Sequence, residues 1–238
     1  MKTIEILGIN FISTSFRHMV EILTKKIEDN EKTFVVTANP EIVMYSLEDE
    51  DYRNNVALAD YVVPDGNGIL LAGKLLHKPV EERITGYDLT VELLTLGNAT
   101  GWKVYLLGGK EEVNVKAVNH IRKTYPNVKV VGSHNGYFDW KDDSIQNEIL
   151  NTEPDIVLVA LGFPKQEKWI AEHLNSFSKG IFIGVGGSID VLAGEVKRAP
   201  MIWQRLKLEW FYRLLKQPSR WRRMLALPRF VIKVMNHR

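Results

Sequence analysis

The 238-residue chain has no cysteine, no apolar run near the roughly 20 residues that cross a bilayer as a helix, and no Gly-x-Gly-x-x-Gly loop followed by an acid. The first absence excludes a disulfide framework and a thiolate zinc site, and it fits a reducing compartment. The second removes a transmembrane helix from the expected architecture. Residues 1–5 also lack the charged-then-apolar pattern of a secretory signal, so a cytoplasmic protein is expected. The third argues against a dinucleotide oxidoreductase or a nucleotide-dependent methyltransferase on a similar sheet. No two histidines stand at metal-ligand spacing. What is present is ordinary in bulk: 45% apolar and 25% charged residues suit a soluble globular domain carrying an appendage.

The net charge of +2 conceals a segregation. Residues 197–238 hold twelve of the 31 basic side chains but only one of the 29 acids, Glu209, a local surplus of eleven. The residues before them keep 19 basic against 28 acidic side chains, a deficit of nine. Such asymmetry points to an acidic partner: lipid, phosphate or nucleic acid. In the same stretch Trp203, Leu206, Trp210 and Leu214 recur at spacings of three and four, with Arg205, Glu209, Tyr212 and Lys216 on the opposing side. A second basic-aromatic segment covers residues 220–225. Interfacial helices combine aromatics at headgroup depth with arginines meeting phosphates, so an anionic membrane surface is the expected partner. A helical hairpin packed on the core is the alternative, and it leaves the surplus charge without a role. A nucleic-acid module would use that charge but not the polar strand exits that follow, so no nucleic acid is expected.

Along the chain, residues 3–7 and 11–13 read as a hairpin turning at Gly8, Ile9 and Asn10, and Ser15 opens an amphipathic helix to about residue 29. Residues 33–36, 62–63, 102–107, 128–131, 156–160 and 181–185 are short apolar strands separated by helical patterns. The near-continuous apolarity of 156–160 and 181–185 marks a sheet covered on both faces. Alternating strands and helices imply an α/β fold with a doubly wound, mostly parallel, Rossmann-like sheet, its crossovers right-handed. All the polar strand exits then share one edge.

Each exit carries candidate chemistry. Asp65 follows the strand ending in Pro64 and is flanked by a Gly66-Asn67-Gly68 turn; a carboxylate there can act as a general base, or cap the helix expected at 69–76, or both. Thr37 and Asn39 occupy the same kind of loop before Pro40. Arg83, just before a helix start, provides a charge beside free N–H groups, an anion site, or pairs with a nearby acid such as Glu81. Gly108 and Gly109 close a strand, glycine turn and helix like half of a nucleotide-binding unit. Residues 135–138 place Gly136 and Tyr137 in a turn whose aromatics could stack or pack; Gln166 and Glu167 open a helix, and Gly186, Gly187 and Ser188 form the last exit. The acidic run 48–51 contains an Asp-x-Asp, a metal-holding spacing in many sugar transferases, but it lies between helical patterns and reads as a solvated face, so no metal is expected.

In order, Thr37-Ala-Asn-Pro-Glu, Pro64-Asp-Gly-x-Gly, Arg83-Ile-Thr-Gly, Leu107-Gly-Gly, Leu161-Gly-x-Pro-x-Gln-Glu, Gly184-Val-Gly-Gly-Ser-Ile-Asp and Gly194-Glu-x-x-Arg-Ala-Pro resemble the WecG/TagA/CpsF family of bacterial glycosyltransferases across nearly the whole chain. The resemblance implies transfer of N-acetylmannosamine from a UDP-sugar donor to the 4-hydroxyl of a polyprenyl-diphosphate-linked N-acetylglucosamine acceptor, with inversion, without metal or cofactor, at the cytoplasmic face of the membrane. It implies Asp65 as base, with Thr37, Asn39 and Gln166 against the sugar. Gly66, Asn67, Gly136, Tyr137, Glu167, Gly187 and Ser188 join the expected substrate contacts, and Gly108, Gly109 and Gly186 are expected to bring backbone to the nucleotide diphosphate. Without a metal, arginine must neutralise the leaving group, and Arg83, Arg213, Arg220 and Arg223 are the candidates. Residues 1–196 are then the catalytic domain, and 197–238 a basic tail that docks on the membrane and completes the site. The donor sugar within the family is left open, and a homo-oligomer is compatible with everything above.

Overall fold

The computed structural model of the protein describes residues 2–141, 143–206, 208–216 and 225–237, apart from the side chain of Arg213. A hairpin of β1 (Thr3–Ile6) and β2 (Ile9–Ile12) comes first. Its turn is tighter than the expected three residues, because Leu7 and Gly8 both take positive φ, 49° and 85°, and complete the reversal in two. Then follow α1 (Phe16–Glu28), β3 (Lys32–Ala38), α2 (Pro40–Glu48), α3 (Glu50–Ala57), β4 (Tyr61–Pro64), α4 (Asn67–Leu75) and α5 (Gly86–Thr100). The second half continues with β5 (Lys103–Gly108), α6 (Glu111–Thr124), β6 (Lys129–His134), α7 (Ser144–Thr152), β7 (Ile156–Ala160), α8 (Lys165–His173), β8 (Gly180–Gly184) and α9 (Ser188–Leu192). Helix starts are set by side chains that accept otherwise unpaired backbone donors: Ser15 from His18, Asn39 from Ile42, Asp49 from Tyr52 and Thr85 from Asp88.

Strands β3 to β8 form one parallel sheet in the order β4-β3-β8-β7-β5-β6. The doubly wound α/β expectation holds. Successive residues of each strand enter two different cores: Phe34 and Val36, Val157 and Val159 on one face, Val35, Ile156 and Leu158 on the other. Helices α2, α3, α4, α7 and α8 cover the first face; α1, α5, α6 and α9 cover the second. Being parallel, the six strands present all their carboxyl ends on one edge. The chain leaves β5 toward β6 and then returns across it to β7, so a crevice opens at the ends of β5 and β7, where such sheets bind ligands.

The basic segment differs from its sequence reading. The periodic run from Trp203 to Leu214 is two short helices, α10 (Met201–Arg205) and α11 (Glu209–Lys216), broken around Leu206. The last helix, α12 (Ala226–Met235), packs against α2 and α4. Leu227, Phe230, Val231 and Val234 fall at helical spacing, and Phe230 and Val234 are completely buried in the first-face core. Thus part of residues 197–238 belongs to the core of the sheet domain.

Candidate active site

The exits of β3 and β4 are joined through backbone: the Asp65 N–H donates to the Ala38 carbonyl at 2.8 Å, and Ile84 N–H to the Pro64 carbonyl at 3.0 Å. This brings the loop before α5 beneath Asp65, and the Asp65 carboxylate accepts a long hydrogen bond, 3.4 Å, from the N–H of Gly86. Asp65 itself does not stand at the N-cap position of α4. Gly66, at φ 129°, takes that cap position with no side-chain bond, and the carboxylate meets the N-terminus of α5, a favourable place for an anion.

Thr37 connects this corner to β8. Its hydroxyl donates to the Gly184 carbonyl at 2.9 Å, and its side chain lies so close to Gly86 that a Cβ there would sit 3.1 Å from Thr37 Oγ1. At Gly184 the fit is tighter still, since a Cβ would come within 2.7 Å of the Gln166 amide nitrogen. Gln166 accepts from the Gly186 N–H at 3.1 Å and donates to Glu167 at 2.7 Å. The bonding fixes polarity: Thr37 has committed its one proton, so it can only accept from a ligand, whereas Gln166 retains one amide N–H to donate.

Glu167, expected among the substrate contacts, is completely buried beside Gln166, whose amide donates to one of its oxygens. Its other oxygen and the Tyr52 hydroxyl are buried without a standard hydrogen bond, although the two groups lie near enough to influence each other. Burial dominates that influence and pushes the Glu167 carboxyl up to about 7.

At the other end of the crevice Gly108, at φ 125°, lies against Ala160 so closely that a Cβ would be 2.3 Å from its carbonyl. Gly136 N–H then donates to the Gly109 carbonyl at 2.8 Å, uniting the exits of β5 and β6. Sequence reading missed the residue that holds both. Asn114 is buried and donates to the carbonyls of Gly108 and His134, at 2.9 and 3.0 Å. Its signal was present: it is the one polar residue in the stripe Asn114, Ala117, Val118 and Ile121 that α6 buries.

Arg83 is paired, but not with Glu81. Its partner is Glu209 of α11, at 3.2 Å. Beside it Arg198 clasps Asp88 in the first turn of α5, at 2.7 and 2.9 Å. Arg220 and Arg223 lie outside the described residues, as does the side chain of Arg213. A cleft of about 820 Å³ flanks the edge between α3, α8 and the loop after β6; Tyr137 and Gly136 line it together with Asp49, Asp51 and Lys168. None of Thr37, Asn39, Asp65 and Gln166 lines it, so it adjoins the Asp65 corner without covering it. Asp49, expected to be solvated, has its carboxylate engaged as the cap of α3.

A general-base candidate, two oriented polar side chains and glycine turns collected on the carboxyl edge of a doubly wound sheet define an α/β group-transfer enzyme. Comparison with known proteins makes this specific: residues 4–238 match the model of the glycosyl transferase WecG/TagA/CpsF family, and the chain belongs to that family. It is similar to the N-acetylglucosaminyldiphosphoundecaprenol N-acetyl-beta-D-mannosaminyltransferases of Bacillus spizizenii strain W23, 37% identical over all of this chain and 92% of the relative, and of Bacillus subtilis strain 168, 37% over 99% and 92%. The enzyme of the same name from Staphylococcus aureus strain MRSA252 is 39% identical over 97% of this chain and 91% of its own length.

Proposed function

We propose that this glycosyltransferase moves N-acetylmannosamine from its UDP derivative to the 4-hydroxyl of N-acetylglucosamine on a polyprenyl diphosphate, inverting the anomeric centre. The observation that carries the reading is the Asp65 corner, where one carboxylate, one acceptor hydroxyl and one donor amide, supplied by the exits of β4, β3 and β7, are held by bonds to the start of α5 and the exit of β8. Asp65 takes the proton of the acceptor hydroxyl as its oxygen attacks the anomeric carbon and the bond to UDP breaks. Thr37, Asn39 and Gln166 orient the donor sugar. The glycine turns at 108–109 and 186–187 bring backbone N–H groups to the diphosphate, and Arg83 with Arg213, Arg220 and Arg223 balances its charge as it leaves. No metal enters this scheme.

The acceptor stays in the bilayer, so the enzyme must come to it. Among the described residues no helix is long and apolar enough to cross a membrane. Association at the surface is supported by α10, α11 and the break between them, where Ile202, Leu206, Trp210, Phe211 and Leu215 are exposed within the basic segment.

Release of UDP over a panel of UDP-sugars, with a water-soluble short-chain lipid diphosphate N-acetylglucosamine as acceptor, tests the reading. Turnover is expected to be fastest with UDP-N-acetylmannosamine, to require the acceptor and to survive excess EDTA. Preference for another UDP-sugar would overturn the donor assignment, and inactivation by EDTA that manganese reverses would overturn the metal-free scheme.

A further inference from the structure

Residues 197–238 carry one acid among twelve cations, and that acid is directed into the protein. Glu209 is 9% exposed, and its carboxylate accepts from Arg83 at 3.2 Å, across 126 positions of sequence. Arg198 makes a two-pronged contact with Asp88 and lies 5.0 Å above the ring of Tyr87. Burial works against the charge on Arg198, but Asp88 and, more weakly, Glu209 outweigh it and hold the guanidinium more firmly charged than usual. Four charges of alternating identity, Arg83, Glu209, Arg198 and Asp88, therefore join the basic segment to the start of α5. The same helix start provides the N–H that meets Asp65.

Two roles are open to such a cluster. If the segment were only a membrane anchor, an acid in it would weaken attraction to anionic lipid and contribute nothing to turnover. An acid placed on an active-edge arginine does something else. Arginine presents five N–H donors in a rigid fork, and one nitrogen held by a carboxylate leaves the rest oriented and available for an anionic ligand. The pair is also shielded, Arg83 and Glu209 side chains being 20% and 11% exposed, so salt screens it less than a surface pair.

We infer that Glu209 is a positioning residue for the transfer reaction: it seats α11 on the active edge and sets the Arg83 fork toward the departing diphosphate. This rests on the glycosyl transfer proposed above and adds to it a residue that touches no substrate. It also separates two functions of the basic segment. Membrane affinity draws on the cations and exposed aromatics, whereas the one anion serves turnover and not the membrane.

The separation makes the test sharp. Glu209→Gln keeps the shape and raises the local surplus of positive charge from eleven to twelve, counting one acid removed. Binding to vesicles of phosphatidylglycerol and phosphatidylcholine is expected to be unchanged or tighter. With the water-soluble acceptor, which takes the membrane out of the rate, kcat is expected to fall about 10- to 100-fold, the scale of a misplaced orienting group, while KM for the donor moves less than about threefold. Glu209→Asp should recover part of the loss, and Arg198→Gln should lower kcat in the same direction. Wild-type kcat in Glu209→Gln overturns the inference. So does a joint collapse of kcat, donor affinity and thermal midpoint, which would mark a merely structural residue, and so does a rise in kcat, which would mark Glu209 as a mask over Arg83. A wild-type enzyme that prefers another sugar overturns only the donor assignment, and the Glu209 comparison is then read with that sugar.

Discussion

The hydroxyl of Thr37 and the carbonyl of Gly184, 147 residues apart in sequence, meet at 2.9 Å on the edge of the sheet. Because β3 and β8 are neighbours with Val36 opposite Gly184, this bond closes the ladder at the point where both strands leave the sheet. Thr37→Val keeps the volume and removes the donor. Its stability is expected to drop by about 1 kcal/mol, or some 2–4 °C in a chain of this size, with Thr37→Ser near wild type. If the oxygen also accepts from the sugar, Thr37→Val loses donor affinity and Thr37→Ser retains it; calorimetric melting and UDP-sugar titration of the three proteins decide.

Asp65→Asn tests the base directly. The amide can still take the Gly86 N–H, so fold and donor binding are expected to persist while turnover falls about 10²- to 10⁴-fold. A variant turning over near the wild-type rate would remove Asp65 from the chemistry.

The buried Glu167 predicts a dependence of stability on pH. Its carboxyl titrates at about 7 in the folded protein against 4.5 in an exposed chain, so the folded state holds a proton that the unfolded state releases first. Stability from this group is complete below about pH 4.5 and is lost as pH rises through 7, by about 3 kcal/mol at most. Glu167→Gln removes that slope, and its new N–H can supply the Tyr52 hydroxyl with a partner. Denaturant unfolding at pH 5 and pH 8 should show the wild type weaker at pH 8 relative to the variant; parallel profiles would mean that Glu167 is ionised throughout.

Phe230 and Val234 make a truncation at residue 196 a poor way to ask what the basic segment does. Removing them opens the groove between α2 and α4, where Leu227 also reaches the Gly68 turn. Phe230→Ala alone is expected to cost about 3–5 kcal/mol with the charged residues untouched. A change of less than about 1 kcal/mol in urea unfolding would show that α12 is an ornament of the core.

Most of the sheet was legible in the sequence because its strands are short, apolar and punctuated by glycine and proline, and because parallel order puts every exit on one side. The positions of Asp65, Thr37 and Gln166 on the edge were legible by that rule. Their bonding partners were not, since nothing local indicates that the Thr37 proton belongs to Gly184 or that Arg83 faces Glu209. The burial of Glu167 was not legible for a related reason: an acid in the first turn of a helix is normally solvated, and only tertiary packing buries this one. The inward stripe of α12 was readable as Leu227, Phe230, Val231 and Val234, but it lies within a segment whose surplus positive charge has the pattern of an outward-facing tail.

That stripe has a bearing on how the protein is made. The ribosome delivers residues 226–235 after every element they cover, so the groove between α2 and α4 is exposed apolar surface for as long as synthesis of the rest takes. A chain released early would hold a nearly complete sheet and an uncovered groove, prone to aggregate and open to proteolysis. Coverage of the first-face core and arrival of the basic segment thus happen together, and the sheet domain becomes durable only once the basic segment has been made.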